Sequence, residues 1–268
     1  MKRLALDHLT VVDAGPLELV KAARASGCDG IGLFLHSMEG LAPMPSYDLA
    51  ADSRLRGELI RAMASEGVSL DLAYPFTIDE WSDPSALHPL IEAAAKLGAG
   101  LINVLVYDRD RSRRRDKFSA LCERAQQYGL RVAVEFYPAS QVRSLGDALE
   151  LTSHVDQPGS VGVNVDLLHL VRSGGSNEEL AAAPAGSILF AQLADGPEHC
   201  AAPDRENEAA KARLLAGQGV FDIAGFVEAL PVDCPLSVEI PRNEQISAGV
   251  SQVKRATDAV DSMRAALA

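Results

Sequence analysis

Two hydrophobic rhythms alternate along the chain. Short runs of Val, Ile and Leu, such as LINVLVY (101–107) and VGVNVDL (161–167), read as buried strands. Longer Ala- and Leu-rich stretches, such as SALHPLIEAAAKLG and RRDKFSALCERAQQYG, carry charges at helical spacing and read as amphipathic helices. The strand-like runs fall at 4–11, 30–36, 69–75, 101–107, 131–137, 161–167, 188–194 and 236–241, each followed by a helical stretch. Four helical stretches stop at Gly27, Gly67, Gly98 and Gly129, with the next strand following at once. A residue without Cβ closes a helix in the left-handed conformation at no steric cost. Eight strand–helix units predict a closed (β/α)8 barrel, one domain over residues 1–268. A doubly wound open sheet is the runner-up, but no GxGxxG follows the first strand to favour it. The loops after strands 2 and 7 are long and the opposite loops short, as a catalytic face and a structural face would make them.

The strand ends carry chemistry. Strand 5 ends near Glu135, strand 6 at Asp166, strand 7 carries Gln192 and strand 8 ends near Glu239. In a barrel these positions converge on one side of the mouth. Three carboxylates that close repel one another unless a cation neutralises them. Carboxylate and amide oxygens predict one divalent metal ion, Mn²⁺ or Mg²⁺ rather than Zn²⁺.

Composition narrows the rest. With 47% hydrophobic and 23% charged residues the chain is an ordinary globular one, and its apolar runs fall far short of a membrane span. The opening MKRLALDHLTVVDAG lacks the long apolar core of a leader and reads as the first strand. Four scattered cysteines without a CxxC pair read as reduced thiols, and the expected location is cytoplasmic. A formal charge of −12 argues against a nucleic-acid partner. It leaves room for a small anionic substrate, since clustered arginines reverse the field locally. A homo-oligomer is left open.

At Glu135, Asp166 with His169, Gln192 and Glu239 the chain resembles the xylose isomerase-like TIM barrels. That superfamily of sugar phosphate isomerases and epimerases also holds endonuclease IV, tagatose and psicose epimerases, inosose dehydratases and 3-dehydroshikimate dehydratases. The resemblance implies that Glu135, Asp166, Gln192 and Glu239 hold one divalent metal. Gln192 departs from the commoner histidine. With QLADG…RLLAGQG it is similar to the 3-dehydroshikimate dehydratase branch, whereas the FYP after Glu135 is not. Six histidines and an acidic charge set the chain apart from the zinc-rich DNA-repair members.

Around these residues, His169 is a candidate general acid or base. Arg213 is a candidate clamp for a substrate carboxylate or phosphate, and Arg242 a weaker one of the same kind. Tyr74, Phe76, Trp81 and Tyr137 are candidate pocket walls, and the basic run DRDRSRRRDK reads as a solvated face. The expected function is a metal-dependent isomerase or epimerase. It would act by proton transfer next to a carbonyl on a small polyhydroxylated or carboxylated substrate, with Glu135, Glu239 or His169 removing the proton. Arg213, Arg242 and Tyr137 would bind that substrate. A 3-dehydroshikimate dehydratase-like lyase and a non-catalytic binding barrel are the alternatives.

Overall fold

The computed structural model describes residues 3–41 and 43–268. Residue 42, in the long loop expected after strand 2, and residues 1 and 2 lie outside them. Eight parallel strands close into a barrel in sequence order, β1 pairing with both β2 and β8. They are β1 Leu4–Asp7, β2 Gly30–Phe34, β3 Ser69–Ile78, β4 Leu101–Val106, β5 Arg131–Glu135, β6 Val161–Asp166, β7 Ile188–Leu193 and β8 Leu236–Val238. The helices are α1 Pro16–Ala25, α2 Ser53–Glu66, α3 His88–Lys96, α4 Arg111–Gln126, α5 Leu145–Ser153, α6 Leu167–Arg172, α7 Asn177–Ala181, α8 Arg205–Lys211, α9 Ile223–Ala229, α10 Asn243–Ser247 and α11 Gln252–Ala266. Gly27, Gly67, Gly98 and Gly129 all take positive φ, between 65° and 79°, so the predicted helix stops are real.

Several boundaries differ from the hydrophobic pattern, each for a local reason. β1 stops at Asp7 because its carboxylate accepts from the Leu9 N–H at 3.0 Å, and a 3₁₀ turn (His8–Val11) follows. β8 ends at Val238, which leaves Glu239 just beyond the sheet. The last helical stretch, GVSQVKRATDAVDSMRAAL, is α11, and the short α10 before it, absent from the hydrophobic pattern, is parted from it at Gly249 with φ 76°.

Alternate residues of a barrel strand face the interior. An apolar floor of Leu72, Leu101, Ala133 and Phe190 fills it. Two residues further along the same strands stand Tyr74, Asn103, Glu135 and Gln192, so one parity carries the chain from packed floor to polar rim. The other parity, including Ile102, Val104, Val132, Val134, Val163 and Val165, packs outward on helix residues such as Phe118, Leu121 and Leu151. Each such side chain stabilises the fold by roughly 1.5–3 kcal/mol of burial. Among the described residues no helix is long and apolar enough to cross a membrane, and Cys28, Cys122 and Cys200 are free thiols.

Candidate active site

The C-terminal rim gathers buried acids from several strands. One ligand atom each from Glu135, Asp166 and His169 lies within 4.8 Å of the others. Asp166 closes β6 and caps α6, accepting from the His169 N–H at 3.1 Å. That cap starts the helix and turns the imidazole back toward β5, with Nε2 3.5 Å from Glu135 Oε1. The Tyr137 ring lies 4.8 Å from the His169 ring, centroid to centroid.

Arg213 arrives from the long loop after β7. Asp195, at the end of that strand, accepts from the N–H groups of Gly196, Gly217, Gly219 and Phe221 at 2.8–3.1 Å. Gly219 comes so close that a Cβ there would meet the Gly196 carbonyl at 2.2 Å. This grip folds the loop back over the barrel. The Arg213 N–H then donates to the Pro241 carbonyl at 3.0 Å and the Leu214 N–H to that of Asp195 at 3.0 Å. The buried guanidinium donates from Nη1 to Asp166 Oδ2 at 2.5 Å, and its Nη2 lies 2.8 Å from Glu239 Oε2. Arg213 lines the cavity, but its fork is engaged by these two acids rather than left for a substrate anion.

A ribbon of hydrogen bonds runs behind the acids. Asn103 donates to Glu135 Oε2 at 2.5 Å, while Asn164 donates to Asn103 Oδ1 at 3.2 Å and to Gln192 Oε1 at 2.5 Å. Gln192 donates in turn to Asp7 Oδ2 at 3.1 Å, and Tyr74 donates to Asp7 Oδ1 at 2.7 Å. Carboxyl oxygens accept at both ends, so every amide between them has one satisfying orientation.

The electrostatics are those of an acid excess. Asp7, Glu135, Asp166 and Glu239 are all buried around the Arg213 guanidinium. Burial, and then the Asp166 charge, push the Glu135 carboxyl up to about 8. Burial holds Glu239 well above the usual carboxylate range and raises Asp7 as well. Burial, the largest single influence, would raise Asp166 too, but the Arg213 charge together with His169 and the hydrogen bonds from Glu239 and Arg213 outweigh it and hold this carboxyl well below its ordinary value. Burial brings His169 down to about 4, so its imidazole is neutral near pH 7. Glu239 Oε2 is buried with the Arg213 Nη2 at 2.8 Å as its one charged neighbour, and Asn164 Oδ1 has no hydrogen-bond partner. Oxygens around one divalent ion at about 2.0–2.6 Å lie several ångströms apart. The spacing and the excess of four buried acids over one guanidinium therefore fit a divalent cation.

Above the acids is a cavity of about 650 Å³. Glu135, Gln192, Glu239, His169, Arg213 and Tyr137 line it on one side, with Leu9, Phe34, Tyr74, Phe76, Leu105 and Tyr107 on the other. Arg242 is not part of that lining and forms a backbone bridge with Ala212. Trp81 is 85% exposed and also lies outside it. Asp7, Asn103 and Asn164 escaped the sequence reading. Their signal was parity, since each sits an even number of residues from another inward position on its strand. The run DRDRSRRRDK opens α4, where buried Asp108 holds Arg113 through two hydrogen bonds of 2.6 and 2.7 Å.

A family model described as xylose isomerase-like TIM barrel matches residues 20–266. No curated protein matches significantly. Among solved structures, a xylose isomerase-like TIM barrel/4-hydroxyphenylpyruvate dioxygenase fusion protein is 24% identical with a TM-score of 0.76. It aligns over 97% of this chain, which spans 42% of the fusion protein's length. The probable 3-DHS dehydratase AsbF from Bacillus anthracis is 15% identical, with a TM-score of 0.75 over 99% of this chain and 97% of its own. A D-psicose 3-epimerase, solved in the presence of D-fructose, is 13% identical, with a TM-score of 0.75 over 99% of each chain. At these identities the likenesses speak for the fold.

Proposed function

The chain belongs to the xylose isomerase-like TIM barrel family, and from that premise we propose a divalent-metal-dependent enzyme that moves a proton at a carbon next to a carbonyl, as an isomerase or epimerase does. The observation that carries the reading is the convergence of Glu135, Glu239 and His169 on one cavity, where ligand atoms of Glu135, His169 and buried Asp166 lie within 4.8 Å of one another. Glu135, Asp166, Glu239 and the Gln192 amide oxygen would hold the ion, and an all-oxygen set suits Mg²⁺ or Mn²⁺ better than Zn²⁺. Bound there, the ion would polarise a substrate carbonyl and stabilise an enediolate.

The protein's own groups do the rest. Arg213 orients Asp166 and Glu239, and Asn103 orients Glu135. Glu135 or Glu239 takes the proton from carbon, and neutral His169 exchanges one at a substrate oxygen. The apolar wall of Leu9, Phe34, Phe76 and Leu105 keeps water away from the intermediate. Two observations favour a second reading, a 3-dehydroshikimate dehydratase-like lyase: that apolar wall offers few partners to a polyol, and Gln192 stands where the family more often has histidine.

The test is solvent exchange. Chelated protein reloaded with Mg²⁺ is incubated in D₂O with D-fructose or 3-dehydroshikimate, and ¹H NMR follows the α-proton. Metal-dependent loss of that signal is the expected result, and the product separates isomerase from lyase. Glu239→Gln should lose bound metal by elemental analysis, and with it the exchange, while circular dichroism stays native. His169→Gln should keep the metal and lose the exchange. A native protein that takes up neither Mg²⁺ nor Mn²⁺ would instead be a binding barrel.

A further inference from the structure

We propose that Arg205 forms an anion subsite beside the candidate active site, so that the substrate carries a carboxylate a few bonds from its reacting carbonyl. A second cavity of about 410 Å³ adjoins the first and shares Tyr137, Ala139, His169, Glu206 and Ala209 with it. A molecule seated over Glu135 and His169 therefore reaches the second space by passing Tyr137.

Three arginines line the two cavities, and their partners differ. Arg213 is engaged by Asp166 and Glu239. Arg172 grips Glu208 through Nε at 2.8 Å and Nη2 at 2.6 Å, and its guanidinium lies 5.2 Å from the Phe221 ring centroid. Arg205 has no carboxylate partner among the described residues. Its Nε donates to the Cys200 carbonyl at 3.5 Å and its Nη1 to the Arg172 carbonyl at 3.3 Å. Those neutral tethers hold the half-buried side chain in place without cancelling its charge. They leave Nη2 and the second Nη1 proton free, two adjacent donors of the kind a carboxylate takes bidentately.

The surroundings narrow the ligand further. Pro138, Ala139, Leu168, Ala202 and Pro203 line the second cavity beside Tyr137 and neutral His169, and with Arg172 held by Glu208 its one uncompensated cation is Arg205. A monoanion fits this better than a phosphate, which needs more donors. Exposed Glu206, at the shared mouth, makes no ion pair with Arg205 and opposes anion entry from a screened position. The subsite rests on the proposed function only in that both cavities serve one substrate.

The test compares benzoate with benzamide, which share ring and size and differ in charge. Calorimetric titrations are run in chelator, so that a carboxylate cannot bind through a metal ion. Wild type should prefer benzoate by about tenfold, roughly the strength of one charge-assisted contact. Arg205→Gln should abolish the preference, Arg205→Lys should keep part of it, and Glu206→Gln should tighten benzoate. Unchanged melting temperatures establish that the variants fold. Equal affinity for the two probes, no benzoate binding, or a preference that survives Arg205→Gln would overturn the subsite. None of these outcomes depends on metal loading or turnover, so the subsite and the enzymatic reading can fail separately.

Discussion

Replacing Arg213 by methionine removes the guanidinium from the acid layer while keeping most of the stem's volume. Its Nη1 lies 2.5 Å from Asp166 and its Nη2 2.8 Å from Glu239, all three side chains being buried. Breaking a buried ion pair from one side costs about 3–5 kcal/mol, because a charge is left without its partner. Two acids lose their partner here, but both can relieve the loss by taking up protons, so about 3 kcal/mol is the expected cost. For a chain of this size each kcal/mol is worth about 2–4 °C, which gives a fall in melting temperature of about 6–12 °C in chelator. Saturating Mg²⁺ should recover more of the melting temperature in the variant than it adds to wild type, since it restores a cation to the same oxygens. Differential scanning calorimetry with and without metal reads both effects. If the variant in chelator melted within about 2 °C of wild type, Arg213 would not be the counter-ion of this layer.

Two further outcomes follow from the same geometry. His8 is buried with Nε2 2.9 Å from the Ala14 carbonyl and Nδ1 accepting from the Phe34 N–H at 3.4 Å, an arrangement only the neutral ring satisfies. Burial lowers it from 6.5 to about 4. The unfolded chain therefore binds the extra proton, and stability present above the upper value is lost as pH falls through the lower one, by about 3 kcal/mol in all. Urea midpoints across that window should fall more steeply for wild type than for His8→Gln, and parallel slopes would exclude His8 as the cause. Asp195→Ala leaves four loop N–H groups without their acceptor and should cost on the order of 3 kcal/mol. Limited proteolysis should then cut between residues 196 and 219, and a loop as resistant as in wild type would show that something else holds it.

The barrel was legible because its signals are local. A strand of alternating or continuous apolar residues, a helix and a closing glycine each lie within a short window, and Gly27, Gly67, Gly98 and Gly129 marked four such joints. Strand ends were less legible because side chains set them. Nothing in LALDHLTV distinguishes Asp7 as a strand residue from Asp7 as the cap that stops the strand. In the site, Glu135, Asp166, Gln192 and Glu239 stood out as oxygen donors on consecutive strand ends; Glu135, Gln192 and Glu239 line one cavity, and buried Asp166 lies within 4.8 Å of Glu135 and His169. The environment of Arg213 was out of reach. It depends on Asp195 holding N–H groups 22, 24 and 26 residues away, and such pairings leave no periodicity in the sequence.

The polar half of the rim and its apolar half constrain each other. Acids on β5, β6 and β8 need a dry wall opposite if a bound carbonyl is to feel their field, because water would screen it. Phe34, Phe76 and Leu105 supply that wall from β2, β3 and β4, which carry no carboxylate into the cavity. The division has a consequence for any charged substrate. Once Arg213 is engaged by Asp166 and Glu239, the acid layer has no cation to spare. A substrate carboxylate placed against that layer would meet repulsion, and against the apolar wall it would lose its hydration without return. The remaining direction is past Tyr137, where an uncompensated guanidinium lines the neighbouring space. The same scarcity of cations that calls for a metal ion at Glu135 and Asp166 thus sets the direction in which an anionic group can lie.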